Sequence, residues 1–332
     1  MTPATPRHSL LLALLVLAPP AACAANMRAL VLAGDGTLVM RPVAIPEPGA
    51  GEVRIHVRAA GVNPADWKLA ARLAGASGGP VILGLDAAGT IDALGPGVSG
   101  WKLGEAVIAL VRPPHGSYAP YTIAAAGNIV RRPRSISFAA AAGIPVAAVT
   151  AWRSLVTVAH LRRGQRVLIE GGAGGVGSAA VQIAKARGAY VIATASTANL
   201  PFLRSLGVDE PIDYTVGPFE QKVSNVDIVL DTANRDVGIE AMGTLKPGGV
   251  LVSIVGAMPA ERCAAAHIVC AMPGSSGDRP AGPFLEQIAR LIDAGRYQVS
   301  IERIFPLREG ARAWALGRAG HTRGKIILAV GP

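Results

Sequence analysis

The feature that most constrains this chain is a short β-branched run that meets closely spaced glycines and continues as an apolar helix, residues 167–184. Gly172, Gly174 and Gly177 match the G-x-G-x-x-G spacing. In that pattern the first glycine permits a tight turn, the second lets the main chain approach a pyrophosphate, and the third allows close packing of helix on strand. The helix N-terminus adds free N–H groups and a positive dipole end. The segment predicts a dinucleotide-binding βαβ unit.

The sequence after this loop supports the prediction. The apolar helix ends at Gly188 after two basic residues, Lys185 and Arg187, a pattern typical of a helix C-terminus. A second β-branched strand, residues 189–194, follows at once and completes the unit. The alternative is a glycine-rich turn without a ligand, which a chain with 40 glycines can contain by chance.

The residues that follow the second strand bear on the choice of dinucleotide. An NAD-binding protein usually places Asp or Glu about 20 residues beyond the first glycine, to hold the ribose 2′-hydroxyl. Residues 194–199 contain no carboxylate, only Thr, Ala, Ser and Asn. Small hydroxyl and amide side chains leave room for a 2′-phosphate and can donate to it, so the sequence favours NADPH over NADH. The same residues could instead cap the next helix.

Size and composition indicate an ordered globular protein. The chain has 332 residues, enough for two domains, with 51% hydrophobic and 16% charged residues. Its net charge of +10 comes mostly from arginines scattered along the chain. The one basic cluster, residues 131–134, has no interleaved aromatic residues. We therefore expect a solvated basic surface and no nucleic-acid partner.

Residues 1–25 have the zones of a secretory signal peptide. Arg7 and His8 precede an apolar run, residues 9–18, which is too short to span a bilayer, and small residues follow up to Ala25. Cleavage after Ala24 or Ala25 is expected. Alternatively, Met27 is the natural start and the upstream residues are a mis-assigned extension. Since an exported enzyme would meet no free NADPH pool, the localisation stays open: periplasmic or secreted if the signal works, otherwise cytoplasmic.

The remaining cysteines and the strand pattern complete the sequence-based description. Cys263 and Cys270 are expected to be buried small apolar residues, with no disulfide framework and no four-ligand zinc site. Short strands dominate from residue 27 to about 126, whereas strands and helices alternate from residue 138 onward. The alternation predicts an α/β fold with a doubly wound parallel sheet, and no segment reads as a transmembrane helix.

Several motifs occur together in one order. They lie at residues 60–66, 84–89, 95–98, 104–107, 142–145, 245–249 and 323–326, besides the glycine loop. In this combination the chain resembles the medium-chain dehydrogenase/reductase family, in its zinc-independent quinone oxidoreductase (zeta-crystallin-like) branch. The resemblance implies a Rossmann domain, residues 148–281, inserted into a GroES-like β-barrel catalytic domain made of residues 27–147 and 282–332.

The resemblance also bears on metal binding and on the reaction. Asn63 stands where the zinc-dependent branch has a cysteine ligand, and Leu85-Asp86 where it has His-Glu, so no metal site is expected. Without a Lewis acid, alcohol oxidation is not expected. The implied reaction is hydride transfer from NADPH to a quinone or an α,β-unsaturated carbonyl. The alternatives are an enoyl-thioester reductase, and an NADPH-binding redox-sensing or structural protein without turnover.

The site residues follow from the resemblance. Asn63 and Asp66 are the expected catalytic residues, although Asn-Pro is also a turn signal and Asp66 a possible helix cap. The expected cofactor-binding residues are Thr150 at the nicotinamide carboxamide, Gly172, Gly174, Gly175, Val176 and Gly177 around the pyrophosphate, Ser196 and Tyr214 at the 2′-phosphate, and Val255 and Gly256 beside the nicotinamide ribose.

Three further expectations follow. Leu200 occupies the place where many relatives carry a phosphate-binding lysine, and Arg204 is the nearest substitute. Tyr118 is expected on the barrel surface. The protein is expected to be a homodimer acting on a small molecule, without a membrane span.

Overall fold

A computed structural model describes residues 25–75, 79–274 and 279–331 of the chain. The expected signal segment lies outside these residues except for Ala25. No helix among the described residues combines the length and the apolar character that a membrane crossing requires.

The first third of the chain forms short strands, because β-branched runs are separated by Gly and Pro. A hairpin of β1 and β2 precedes a long strand, β3, and the helix α1 that follows it. The elements are β1 (Asn26–Leu32), β2 (Leu38–Ala44), β3 (Glu52–Val62), α1 (Pro64–Leu73), β4 (Asp86–Leu94), β5 (Ala106–Leu110), β6 (Tyr121–Ala125) and β7 (Ile129–Arg131). Neither β2 nor α1 is evident from the sequence pattern.

The middle of the chain builds a six-stranded parallel sheet. Its elements are α2 (Phe138–Ala142), α3 (Pro145–Trp152), β8 (Arg166–Ile169), α4 (Gly175–Ala186), β9 (Tyr190–Ala195), α5 (Leu200–Ser205), β10 (Glu210–Asp213), β11 (Val226–Asp231), α6 (Arg235–Ala241), β12 (Leu245–Ser253), α7 (Ala260–Ala265) and β13 (Val269–Ala271). The strand order is β10-β9-β8-β11-β12-β13. This is the doubly wound arrangement in which the order reverses beside the first strand, at the point where dinucleotides bind.

The end of the chain returns to the first sheet. Its elements are α8 (Gly282–Asp293), β14 (Ile301–Pro306), α9 (Gly310–Ala319) and β15 (Lys325–Ala329). Strand β15 pairs with β3 in antiparallel fashion, and the sheet runs β14-β15-β3-β4-β5-β7 with β6 on β3. The predicted fold class, a Rossmann sheet inserted into a GroES-like β-domain, is confirmed. The predicted limits at 147/148 and 281/282 stay predictions; helix α3 runs across the first of them.

The expectation for the two cysteines is wrong. Cys263 in α7 and Cys270 in β13 are joined by a disulfide, with their Cα atoms 6.1 Å apart. The chain reverses between them through His267, whose φ of 52° is left-handed, and the Ile268 amide donates to the Cys263 carbonyl at 3.0 Å. The reversal brings the strand back beside the helix. A separation of seven residues does not by itself reveal such a turn.

Candidate active site

A cleft of about 770 Å³ lies between the glycine loop and the β-domain. On the Rossmann side it is lined by Gly174, Gly175 and Val176 of the loop. On the other side it is lined by Asn63, between β3 and α1, and Lys325, at the start of β15. The parallel sheet presents the carboxyl ends of its strands to the cleft, where ligands of such sheets bind.

The glycine loop is shaped by two close approaches and one open position. A Cβ on Gly177 would lie 2.2 Å from the Gly171 carbonyl oxygen, and one on Gly172 would lie 2.8 Å from the Ala193 Cβ. These two glycines therefore serve the packing of helix α4 and the strands. A Cβ on Gly174 would meet only the Gly171 oxygen, at 3.4 Å, so the space before it is open. Gly174 caps α4, whose first-turn N–H groups lack intrahelical partners.

The other end of the cleft is polar. Ser196, Asn199 and Tyr214 line it, and the Asn199 amide donates to the Ser196 hydroxyl at 3.3 Å. Arg323, from the β-domain, reaches across to helix α5, where its Cζ lies 5.6 Å from the centre of the Phe202 ring. A cation from the far domain thus lies next to the segment that begins with Ser196.

The side chain of Asn63 is held on two sides. Its Nδ2 donates to Asp86 Oδ2 at 2.9 Å, and its Oδ1 accepts a short hydrogen bond from Lys325 Nζ. Lys325 Nζ also lies 3.1 Å from Asp86 Oδ2 and 3.3 Å from the Val62 carbonyl oxygen. The other carboxylate oxygen of Asp86 accepts from the Val146 amide at 2.7 Å, at the start of α3.

Asp66 lies behind Asn63. Its Oδ2 accepts from the Asn63 backbone amide at 2.7 Å and from the Tyr118 hydroxyl at 2.7 Å. The carboxyl group is fully buried, and burial raises its pKa to about 7, against the lowering effect of the Tyr118 bond. Asp66 does not line the cleft, so the structure places this residue as a support for Asn63. The expected surface position of Tyr118 is wrong, because its side chain is fully buried and also accepts from the Trp314 indole at 3.3 Å.

A second pair of acids lies beneath the cleft. Glu170 directly follows β8 and Asp231 ends β11, and burial raises the pKa of both carboxyl groups. Asp231 accepts from the Ser253 hydroxyl at 2.7 Å. The two carboxyl groups interact with each other, which favours a proton on Glu170.

The structure brings half of the predicted site residues to one cleft. Asn63, Gly174, Gly175, Val176, Ser196 and Tyr214 line it. Thr150, Val255 and Gly256 do not, although the neighbour Ile254 does. The sequence reasoning missed Lys325 and Asp86 as site residues. Both belong to motifs that carry the resemblance, and that was the only available signal for them.

The donor set around Asn63 does not suit zinc. Zinc sites use thiolate, imidazole and carboxylate ligands, whereas here an amide and a carboxylate are engaged by an ammonium group. Among residues 25–75, 79–274 and 279–331, no group of three or more His, Cys, Asp or Glu side chains could hold a metal ion.

Two family descriptions match the chain. Residues 49–134 match the alcohol dehydrogenase GroES-like domain, and residues 206–328 match a family described as zinc-binding dehydrogenase. A mitochondrial NAD(P)H oxidoreductase from Danio rerio is 31% identical, with 84% of each chain covered. A chloroplastic quinone-oxidoreductase homolog from Spinacia oleracea is 30% identical over 89% of this chain and 95% of that protein. A polyketide synthase from Streptomyces halstedii is 35% identical over 85% of this chain. The matched region is 5% of that much longer protein.

Solved structures share the fold over most of the chain. An alcohol dehydrogenase superfamily protein from Novosphingobium aromaticivorans is 32% identical, with a TM-score of 0.84 over 92% of this chain and 100% of that one. The quinone oxidoreductase from Coxiella burnetii is 31% identical, with a TM-score of 0.82 and the same coverage. An enoyl reductase, CurK, is 27% identical, with a TM-score of 0.81 over 92% of this chain and 99% of that one.

Proposed function

The chain belongs to the medium-chain dehydrogenase/reductase family, and we propose that it is a zinc-independent, NADPH-dependent reductase of quinones or α,β-unsaturated carbonyls. The single observation that carries this proposal is the cleft. It places an open glycine loop opposite an amide donor, Asn63, whose side chain is held by an ammonium and a carboxylate.

The loop fits the pyrophosphate of a dinucleotide. Gly174 leaves open space where any other side chain would stand, and Gly175 and Val176 begin α4 with free N–H groups. When bound, the reduced nicotinamide supplies the hydride. The chain's own residues bind and orient: the loop holds the phosphates, and Asn63 faces the acceptor from the β-domain. Asn63 keeps one Nδ2 proton that Asp86 does not use, and this proton is the donor to the acceptor oxygen.

Three observations support NADPH over NADH. Ser196 and Tyr214 offer hydroxyl groups at the polar end of the cleft, and no carboxylate follows β9 directly. Arg323 lies over Phe202 and adds positive charge near that end, in the role that the missing lysine at Leu200 would serve. The predicted substitute, Arg204, is exposed on α5. A doubly charged 2′-phosphate is favoured by such a cation.

Zinc independence is supported by the chemistry of the donors. Lys325 Nζ lies between Asn63 Oδ1 and Asp86 Oδ2, so a fixed positive charge already neutralises the carboxylate. Quinones and enones spread the developing negative charge by resonance, and a hydrogen-bond donor at the acceptor oxygen then suffices. Metal analysis of purified protein should find far less than one zinc per chain, before and after treatment with a chelator.

A turnover assay tests the proposal. Oxidation of NADPH is followed with 9,10-phenanthrenequinone, 1,4-benzoquinone and a simple enone, with the Gly174→Asp variant as the control that cannot hold the pyrophosphate. We expect turnover with wild type and loss of NADPH binding in the variant. Tight NADPH binding by wild type without oxidation by any acceptor would instead support a sensing or structural role.

A second candidate is an enoyl-thioester reductase, favoured by the structural similarity to an enoyl reductase over 92% of this chain. Both candidates use the same glycine loop and Asn63. Crotonyl-pantetheine distinguishes them: a kcat/KM for this thioester above that for every quinone and enone would favour the second candidate.

A further inference from the structure

We infer that Lys325 is a positioning residue, which fixes the Asn63 carboxamide so that its N–H side, and not its oxygen, serves the acceptor. This inference rests on the proposed function and names a residue that acts through Asn63. Lys325 is 5% exposed and lines the cleft, yet its ammonium group points to protein acceptors.

All three ammonium donors of Lys325 have partners within the protein. They are the Val62 carbonyl, Asn63 Oδ1 and Asp86 Oδ2. An ammonium group has three N–H donors and no acceptor, so none is left for a substrate oxygen. Lys325 therefore acts on the reaction through its neighbours.

The carboxamide of Asn63 has two orientations that differ only by exchange of oxygen and nitrogen. Lys325 can only donate, so it requires the oxygen on its side, and the carboxylate of Asp86 can only accept, so it requires the nitrogen. Together the two charged groups select one orientation. Without the ammonium group, Asp86 alone would select the orientation, and any carboxamide that flipped would present its oxygen to the acceptor, where two oxygens would repel each other.

The stem of Lys325 also contacts the glycine loop. A Cβ on Gly175 would lie 3.0 Å from Lys325 Cδ, and the preceding Gly324 amide donates to the Ala173 carbonyl at 2.8 Å. The residue that orients Asn63 thus packs on the loop that would hold the pyrophosphate. The Lys325 side chain thus connects the cofactor loop with Asn63, the hydrogen-bond donor to the acceptor oxygen.

A double-mutant cycle tests this inference. Lys325→Met should lower kcat about 100-fold, as expected for a misplaced donor, and should leave the KM for NADPH within about twofold. Asn63→Ala should lower kcat by a similar factor. Because Lys325 acts through Asn63, the double variant should be no slower than Asn63→Ala alone. Further loss of kcat in the double variant would show an independent role and overturn the inference.

Two controls separate this role from folding and from the proposed function. The first control combines Lys325→Met with Asp86→Asn, so that no unpaired buried charge remains. The second control, Lys185→Met, breaks an exposed 2.7 Å ion pair with Asp209 and should leave kcat unchanged. Solvent exchange of the Asn63 Nδ2 protons, followed by NMR, needs no turnover. Exchange should be slow in wild type and fast in Lys325→Met. Equal exchange rates would overturn the inference, whether or not the protein reduces quinones. Absence of quinone reduction by wild type would reject only the proposed function.

A separate observation carries a second inference, which stands apart from the proposed NADPH-dependent reaction, because export would leave that reaction without a free NADPH pool: we propose that the mature protein resides in an oxidising compartment. The Cys263–Cys270 disulfide lies in the Rossmann sheet, and disulfides persist in exported proteins but are rare in the cytosol. The signal-like sequence of residues 1–25 also favours export. To form the bond, the two thiols give two protons and two electrons to a protein disulfide of that compartment, which becomes a dithiol.

Counting thiols in the denatured protein tests both parts of this proposal. The chain has three cysteines, and cleavage after Ala24 or Ala25 removes Cys23. Protein purified from its native cells, with thiols blocked at lysis, should show no free thiol before reduction and two after it. One before and three after means that the leader is retained, and overturns export. Two or three free thiols before reduction mean that the bond is open, and overturn the oxidising compartment.

Discussion

The Tyr118 hydroxyl donates a 2.7 Å hydrogen bond to Oδ2 of Asp66, and both side chains are fully buried. The same carboxylate oxygen accepts the backbone amide of Asn63, at the base of the cleft. The buried Asp66 carboxyl group, hydrogen-bonded to Tyr118, therefore holds the backbone of Asn63, while Lys325 and Asp86 hold its side chain. The two supports act on the same residue from opposite directions.

The titration of Asp66 makes stability depend on pH. Its pKa in the folded protein is about 7, above the ordinary value of 3.8, so the folded state binds a proton that the unfolded state has lost. This contribution is complete below pH 4 and is lost as the pH rises to about 7, by about 1.4 kcal/mol per unit. Asp66→Asn should flatten this part of the curve. Urea unfolding at pH 4.5 to 8 measures the unfolding free energy as a function of pH. Equal slopes for wild type and Asp66→Asn would contradict the raised pKa of Asp66.

Removal of the tyrosine hydroxyl shifts that titration. The Tyr118 bond lowers the pKa of Asp66, so Tyr118→Phe should raise it further and extend the falling part of the stability curve above pH 7. The variant should also lose about 1–3 kcal/mol of unfolding free energy at pH 8, because the ionised carboxylate loses a buried donor. Tyr190→Phe, on an exposed ring, is the matched control. An unchanged curve for Tyr118→Phe would mean that the hydroxyl does not act on Asp66.

Two glycines of the loop should respond differently to a methyl group. Gly174→Ala meets only the Gly171 oxygen at 3.4 Å, so the fold should tolerate it, but the methyl group projects where a phosphate must approach. NADPH affinity should fall by about 1–3 kcal/mol with an unchanged melting temperature. Gly177→Ala places its Cβ 2.2 Å from that same oxygen and should lower the melting temperature. Calorimetric titration and thermal unfolding measure the pair; equal NADPH affinity in Gly174→Ala and wild type removes the loop from the cofactor site.

A carboxylate at Ser196 should change the cofactor preference. Ser196 lines the polar end of the cleft, where a carboxylate would repel the 2′-phosphate of NADPH and accept from the 2′-hydroxyl of NADH. Ser196→Asp should lower the ratio of kcat/KM for NADPH to that for NADH by about tenfold or more. Ser205→Asp, which adds the same charge on the far end of α5, is the control. A constant ratio in Ser196→Asp places the phosphate elsewhere.

The disulfide should stabilise the edge of the Rossmann sheet. It closes a segment of seven residues between α7 and β13, and chain-entropy arguments assign about 2–3 kcal/mol to such a loop. Cys263→Ser with Cys270→Ser should lower the unfolding free energy by that amount. Wild type unfolded in a reducing agent should match the variant. Equal unfolding free energies for oxidised and reduced wild type would show that the disulfide does not stabilise this edge.

The sequence by itself determined the Rossmann part of the fold, because its signals are local. Glycines at fixed spacing, a β-branched strand before them and a helix after them lie within 18 residues, and each follows from backbone sterics. The same locality explains why Gly174 was predicted, whereas Asn63 and Ser196 were predicted from the resemblance to a family; all three line one cleft. Strand pairing and burial were not needed for these predictions.

Only the tertiary structure decided which charged groups surround Asn63. Lys325 lies 262 residues away along the chain and meets Asn63 because β15 returns to pair with β3. Asp86 lies 23 residues away and meets it because β4 pairs with β3. A buried charge requires a partner, but sequence spacing does not say which distant segment provides it. The burial of Tyr118 and the pairing of Cys263 with Cys270 were decided in the same way, by packing and by one left-handed turn.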